Sequence, residues 1–181
     1  IRDRFFIWEG GMSFHGGLIG IIFATYLFSR KHKINKYIFL DLISVSAPIG
    51  IFFGRLANFI NGELVGKATN GNWGVIFPQI DNILRHPSQL YESFGEGVVL
   101  FLILYFISIY SKTIGVISSS FLIFYGVIRF IIEYFRQPDS HLGYVAFDSL
   151  SMGQILCIPM IIIGIIMFIF SRKKTWKKKT R

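Results

Sequence analysis

The chain of 181 residues has a single cysteine, Cys157, so no intramolecular disulfide can staple it. Set in a run of Ile and Leu, that thiol reads as a small core hydrophobe rather than a nucleophile. There is no His-x-x-x-His or Cys-x-x-Cys spacing to assemble a metal site, no Gly-x-Ser-x-Gly elbow and no Walker loop. Metal and nucleotide chemistry are therefore disfavoured, and no cofactor is expected. Internal repeats, long linkers and a soluble domain are also lacking, and the apolar runs are too long and aliphatic for barrel strands. The chain opens at Ile1 without a methionine, and Arg2, Asp3 and Arg4 lead straight into sequence rather than to a signal-peptide cleavage site. A formal net charge of +9 would suit nucleic acid, but seven of the 19 Lys and Arg crowd into Arg172 to Arg181. That is a tail and not a groove, so nucleic acid is not expected as a partner.

What the chain has in abundance is apolar surface: 52% hydrophobic residues, 17% aromatic residues and a mean hydropathy of +0.55. The fold class expected is an all-α integral membrane protein, a single membrane domain with five transmembrane helices at about 10–29, 38–61, 90–111, 113–135 and 149–171. A small extracytoplasmic cap, 62–89, separates the second from the third. It is rich in Gly, Asn, Pro and Asp, with Asn70-Gly-Asn72 as a turn and Trp73 to Phe77 as a short strand. The basic loop Arg30 to Lys36 and the basic tail 172–181 fall on the cytoplasmic side by the positive-inside bias, so the first span enters from outside. Pro48 marks a kink in the second span.

This topology gathers the polar residues at one depth. At 1.5 Å per residue, Arg55 lies about 26 Å along its span and Arg129 about 24 Å along its own, both near the outer surface. His15, Asn58, Glu63, Glu92, Glu96 and Glu133 fall at the same level. Arg55 and Asn58 share a helix face, as do Tyr125, Arg129, Glu133 and Arg136. Two readings stay open. Asn58 and an Arg129–Glu133 pair could be polar glue between helices. Alternatively, two arginines beside the outer leaflet, with a histidine flanked by Gly16 and Gly17, form a pocket for an anionic headgroup, since Arg offers a planar fork of donors to phosphate oxygens. His32 and His141 read as solvated, and His86-Pro87 as a turn.

The run Gly54 to Gly66 (Gly-Arg-Leu-Ala-Asn-Phe-Ile-Asn-Gly-Glu-Leu-Val-Gly) resembles the signature of the bacterial phosphatidylglycerol:prolipoprotein diacylglyceryl transferases. Three further stretches match that family in order: Ser13 to Leu18, Arg85 to Glu92, and Tyr125 to Glu133 leading into Arg136 to Asp139. The resemblance implies an enzyme of the bacterial cytoplasmic (inner) membrane, its site facing the outer leaflet and its C-terminus cytoplasmic. It would move the diacylglyceryl group of phosphatidylglycerol onto the lipobox cysteine of a preprolipoprotein, forming a thioether and releasing glycerol phosphate. Its implied partners are phosphatidylglycerol, the lipobox and the lipid bilayer. Carried over by motif, His15, Arg129 and Arg55 are the catalytic set, and Arg55, Asn58, Glu63, Gly66, Tyr125 and Glu133 bind substrate. Ala57 and Val65 depart from the family's commonest Gly and Trp, and against the usual seven spans the first two helices, with their His-Trp-Tyr-Gly stretch, are absent. The alternative from the residues alone is a non-enzymatic phospholipid-binding or transport membrane protein.

Overall fold

The computed structural model describes residues 14–137, 144–146 and 150–179, with side-chain surroundings for 20–137 and 150–173. Helix α1 (Phe14–His32) turns into α2 (Lys36–Asn61) through Lys33, whose φ is 53°. Asn35 caps α2, its side-chain oxygen accepting the Tyr37 N–H at 3.1 Å. The helix runs on through Pro48 and stops at Gly62, where a left-handed φ of 66° lets the glycine N–H close onto the carbonyls of Asn58 and Phe59.

Strands β1 (Val75–Ile76) and β2 (Leu84–Arg85) form a small antiparallel ladder in the loop that follows. The strand expected at Trp73 to Phe77 is thus present in two of those residues, Val75 and Ile76. Next come α3 (Ser88–Glu92), a π-helical turn over Ser93–Val99 and α4 (Leu100–Tyr110), which run as one helix, Ser88–Tyr110. The chain finishes with α5 (Val116–Ile132), the antiparallel pair β3 (Tyr144–Ala146) and β4 (Leu150–Ser151), and α6 (Met152–Lys179).

The expectation of five transmembrane helices is corrected. Among the described residues three helices are long and apolar enough to cross a membrane: Lys36–Asn61, Ser88–Tyr110 and Met152–Lys173. α5 is apolar but has 17 residues, about 26 Å against a hydrocarbon core of about 30 Å. Gly115, at φ 87°, fixes its start, and the chain leaves the helix at Glu133. α1 has 19 residues among those described, and its last turn is Arg30, Lys31 and His32, so its described apolar part is short of a span.

Burial is inverted relative to a soluble protein. The fully buried hydrophobics are few, Leu100 and Leu104 chief among them, while the buried polar set includes Glu92, Glu96, Arg129, Glu133, Gln89 and Gln154. Ile162, Ile163, Ile165, Ile166 and Ile169 of α6, with Phe53 of α2 and Phe106 of α4, point outward. Apolar outside and polar inside is what a lipid solvent selects, and the chain is a multi-pass membrane protein.

With no hydrophobic drive between helices in lipid, small residues must let them close. At Gly126 a Cβ would meet Ile161 of α6 at 2.6 Å, and at Gly164 one would meet Ile123 of α5 at 2.8 Å. Within the π-helical turn, Gly97 abuts Phe52 of α2, while Gly95 abuts Ile128 and Ile132 of α5. That turn is thereby wedged between α2 and α5, the helices that carry Arg55 and Arg129. At the other end of these helices Asp41 of α2 accepts the backbone N–H groups of Gly115 (2.7 Å) and Ser118 (2.8 Å), capping α5 from outside its own sequence.

Candidate functional site

An arginine at membrane depth needs counter-charges, and two carboxylates supply them here. Glu92 and Glu96 are one turn apart and face inward, with side-chain exposures of 1% and 0%. Arg55 Nε lies 2.7 Å from Glu92 Oε2, and its Nη2 lies 3.6 Å from Glu96 Oε2. Arg129 Nη1 reaches Glu92 Oε1 at 2.9 Å and Glu96 Oε1 at 3.2 Å. Each carboxylate therefore spans both arginines. Arg129 Nη2 also contacts Glu133 Oε2 at 2.8 Å, and Arg136 Nη1 stands 4.0 Å from the same oxygen.

The far side of the cluster is tied to α6. Ser151 Oγ donates to Glu133 Oε1 at 3.0 Å and accepts the Gln154 N–H at 3.3 Å, while Gln154 Oε1 accepts the Ser151 N–H at 3.1 Å. This is a capping arrangement at the start of α6. Gly153 leaves no room there, since a Cβ would come within 2.8 Å of the Glu133 carboxyl carbon. A carboxylate against a helix N-terminus is favourably placed.

The loop after α2 is held by the Arg85 to Glu92 stretch. Arg85 Nη1 donates to the Gly66 carbonyl (3.1 Å), Ser88 Oγ to that of Leu64 (3.3 Å) and Gln89 Nε2 to that of Glu63 (2.6 Å). Gly66 pairs with His86 on one side and bridges Arg136 on the other, its N–H reaching the His86 carbonyl at 3.1 Å. A Cβ at Gly66 would lie 2.3 Å from the His86 carbonyl oxygen and 2.8 Å from that of Phe135, so two backbones close on this glycine. His86 Nδ1 lies 3.2 Å from the Tyr91 hydroxyl, and both rings pack against Phe135.

Asp81 and Arg85 form a pair in this loop, Nη2 to Oδ2 at 2.5 Å. The side-chain hydrogen bond from Arg85 holds the Asp81 carboxyl below its usual range, and the same bond raises the Arg85 guanidinium.

The structure thus brings Arg55, Arg129 and Glu133 into one cluster. Asn58 sits one turn beyond Arg55, half-buried, and Glu63 is exposed on the loop. Tyr125, one turn before Arg129, stacks on Phe121 with centroids 5.5 Å apart. His15 falls in the first turn of α1, and its side-chain surroundings lie outside the described residues, as do Pro138, Asp139 and His141. Cys157 is buried and free, in keeping with a packing residue.

The site reading from sequence left Glu92 and Glu96 unassigned, although their spacing of four and their depth carried the signal. Gln89 was also missed: it is fully buried, and its Oε1 has no hydrogen-bond partner among the described residues. Beside the cluster an apolar groove of about 490 Å³ opens between the Ser88–Tyr110 helix and α5, with Leu90, Phe94, Gly95, Ile128 and Ile132 among its walls.

Residues 2–170 match the family described as Prolipoprotein diacylglyceryl transferase. Among similar proteins, the phosphatidylglycerol–prolipoprotein diacylglyceryl transferase of Rickettsia bellii (strain OSU 85-389) is 55% identical over 165 residues, covering 90% of this chain and 62% of the relative. That of Ehrlichia canis (strain Jake) is 54% identical over 162 residues, covering 87% and 62%. That of Rickettsia felis (strain ATCC VR-1525 / URRWXCal2) is 55% identical over 160 residues, covering 87% and 61%. The chain therefore spans a little over three-fifths of the length of the curated relatives it matches.

Proposed function

This chain belongs to the prolipoprotein diacylglyceryl transferase family, and on that premise we propose that it takes part in transferring the diacylglyceryl group of phosphatidylglycerol to the lipobox cysteine of a preprolipoprotein. The observation that carries the reading is the paired arginines: Arg55 and Arg129 come from different helices and share the same two carboxylates. The planar fork of donors on a guanidinium suits phosphate oxygens.

In the proposed reaction the lipobox thiol attacks the glyceryl carbon that bears the phosphate ester. A sulfur–carbon bond forms, the carbon–oxygen bond breaks, and glycerol phosphate leaves with one more negative charge. A free thiol with a pKa near 8.5 is only a few per cent thiolate at neutral pH, so a base that accepts its proton accelerates attack. His15 takes that role in this scheme. Arg55 meets the phosphate first, because its side chain, at 19% exposed, is the more accessible of the two arginines. Arg129, 9% exposed, steadies the charge that grows on the leaving oxygen, a stabilisation larger in the transition state than in the ground state. Asn58 and Glu63 hold headgroup hydroxyls, and Tyr125, one turn from Arg129, takes part in binding substrate. The 2.8 Å contact from Glu133 supports its part in orienting Arg129, and the close packing of Gly66 supports a part in shaping the Glu63 loop. The apolar groove suits an acyl chain. The site faces the outer leaflet, and the basic tail faces the cytoplasm, as the excess of Lys and Arg at that end favours.

The test is incubation of the protein in bilayers with labelled phosphatidylglycerol and a lipobox peptide. Label transferred to the peptide thiol is the expected result. Lipid bound with no label transferred would replace the reading with a lipid-binding or transport role.

A further inference from the structure

We propose that Glu92 and Glu96 are positioning residues, a pair of cross-braces that hold the Arg55 and Arg129 guanidiniums in the register one phosphate group requires. The inference rests on the transferase reading and deepens it.

Two guanidiniums set side by side in a low-dielectric interior repel, so without counter-charges each would turn away. The glutamates prevent this in a specific way. Each uses one oxygen for Arg55 and the other for Arg129: Glu92 at 2.7 and 2.9 Å, Glu96 at 3.6 and 3.2 Å. A carboxylate between two guanidiniums limits their separation as well as neutralising them, and here Arg129 Nη1 also donates a hydrogen bond to Glu96 Oε1 at 3.2 Å. Both carboxylates are at most 1% exposed whereas the arginine side chains are 19% and 9%, so the braces are the more deeply buried members of the cluster.

The backbone that carries the braces is itself pinned. Ser93 Oγ donates to the Phe52 carbonyl of α2 at 3.1 Å, and Gly97 and Gly95 seat the same turn against α2 and α5. The carboxylates are thus referenced to both arginine helices. They touch no substrate in this scheme, and they act through the arginines.

A positioning role separates binding from chemistry. Glu92→Gln keeps the shape of the side chain but leaves the cluster one charge more positive, so an anionic headgroup is held as well as before or better. The guanidiniums lose their register, and the step that depends on their geometry slows. In bilayers, Glu92→Gln is expected to bind phosphatidylglycerol within about threefold of the unsubstituted protein, or more tightly, while kcat for peptide lipidation falls about 30-fold or more. In the Arg55→Lys background the same substitution should cost far less, because the brace then has no fork to align.

Three results overturn the proposal. One is a Glu92→Gln protein that keeps kcat within about threefold. Another is an equal cost of Glu92→Gln in both backgrounds, which marks independent action. Should Glu92→Gln yield no folded protein, Glu96→Gln carries the same test, and failure of both to fold means that the carboxylates hold the helices rather than the guanidiniums. An unsubstituted protein that binds lipid without lipidating peptide overturns the transferase reading instead. The braces are then judged by lipid affinity alone, and a loss of more than about tenfold in Glu92→Gln overturns them.

Discussion

Arg129 shows how closely role and stability are joined at a single side chain. It contacts Glu92, Glu96 and Glu133, all nearly fully buried, so deleting it leaves carboxylates without their main partner. Breaking a buried pair by removing one member costs about 3–5 kcal/mol. Arg129→Ala is therefore expected to lose folded yield, which would obscure any effect on chemistry. Arg129→Lys keeps the charge and loses the planar fork. It should remain folded, with a melting temperature within a few degrees, while transfer falls about 100-fold. Thermal unfolding and lipidation rate measured on the same preparation check both parts.

Asp81 gives a prediction in pH. Its carboxyl titrates below the ordinary value of 3.8 in the folded state because Arg85 donates to it. The stabilisation is present above that value and is lost as pH falls through the folded one, so the loop it braces should loosen only in strong acid. Amide exchange at Gly66 and Lys67 is expected to show this added opening below about pH 3.8, and Asp81→Asn should remove the dependence.

At the scale of elements, α5 depends on a residue 74 positions earlier: Asp41 accepts the N–H groups of Gly115 and Ser118 at its first turn. Leaving one buried donor unpaired costs about 1–3 kcal/mol, so the two together set an expected loss of about 2–6 kcal/mol in Asp41→Ala, whereas Asp41→Asn keeps an acceptor and should lose less than half of that. Equilibrium unfolding in detergent measures both. This element also shows where reading by sequence stops. The long apolar runs gave away α2, the Ser88–Tyr110 helix and the apolar part of α6, Met152–Lys173, to within a few residues, because twenty apolar positions have few other solutions in lipid. The span expected at 113–135 came out as Val116–Ile132, since hydropathy does not register that Gly115 turns left-handed to meet Asp41. The arginines were legible as anomalies in apolar runs. Their braces were not, because pairing Glu92 with Arg55 and Arg129 depends on which helices touch.

For the molecule as a whole, the inverted burial makes a prediction about solvent. The outward isoleucines of α6 need hydrocarbon around them, and Ile166, about half exposed and away from the helix ends, is a direct probe. On insertion scales an arginine near the middle of a span costs about 2.5–3.5 kcal/mol. Ile166→Arg should therefore reduce membrane-inserted protein severalfold in a glycosylation-site insertion assay, and Ile166→Leu should leave it unchanged.

The π-helical turn over Ser93–Val99 has a further consequence for how the chain tolerates change. In it the N–H of Leu100 reaches back to the carbonyl of Gly95, five residues away rather than four. A π turn of this kind equals one residue more than the α-helix needs, and one residue amounts to about 100° of rotation. It works as a phase shifter: everything before it, Glu92 and the loop that clamps Gly66 included, is dialled round relative to Leu100–Tyr110. Removing a single residue between Ser93 and Val99 would restore ordinary winding and leave the apolar run long enough to cross the membrane. It would also swing the glutamate away from the arginines, a silent change in hydropathy and a large one in the site.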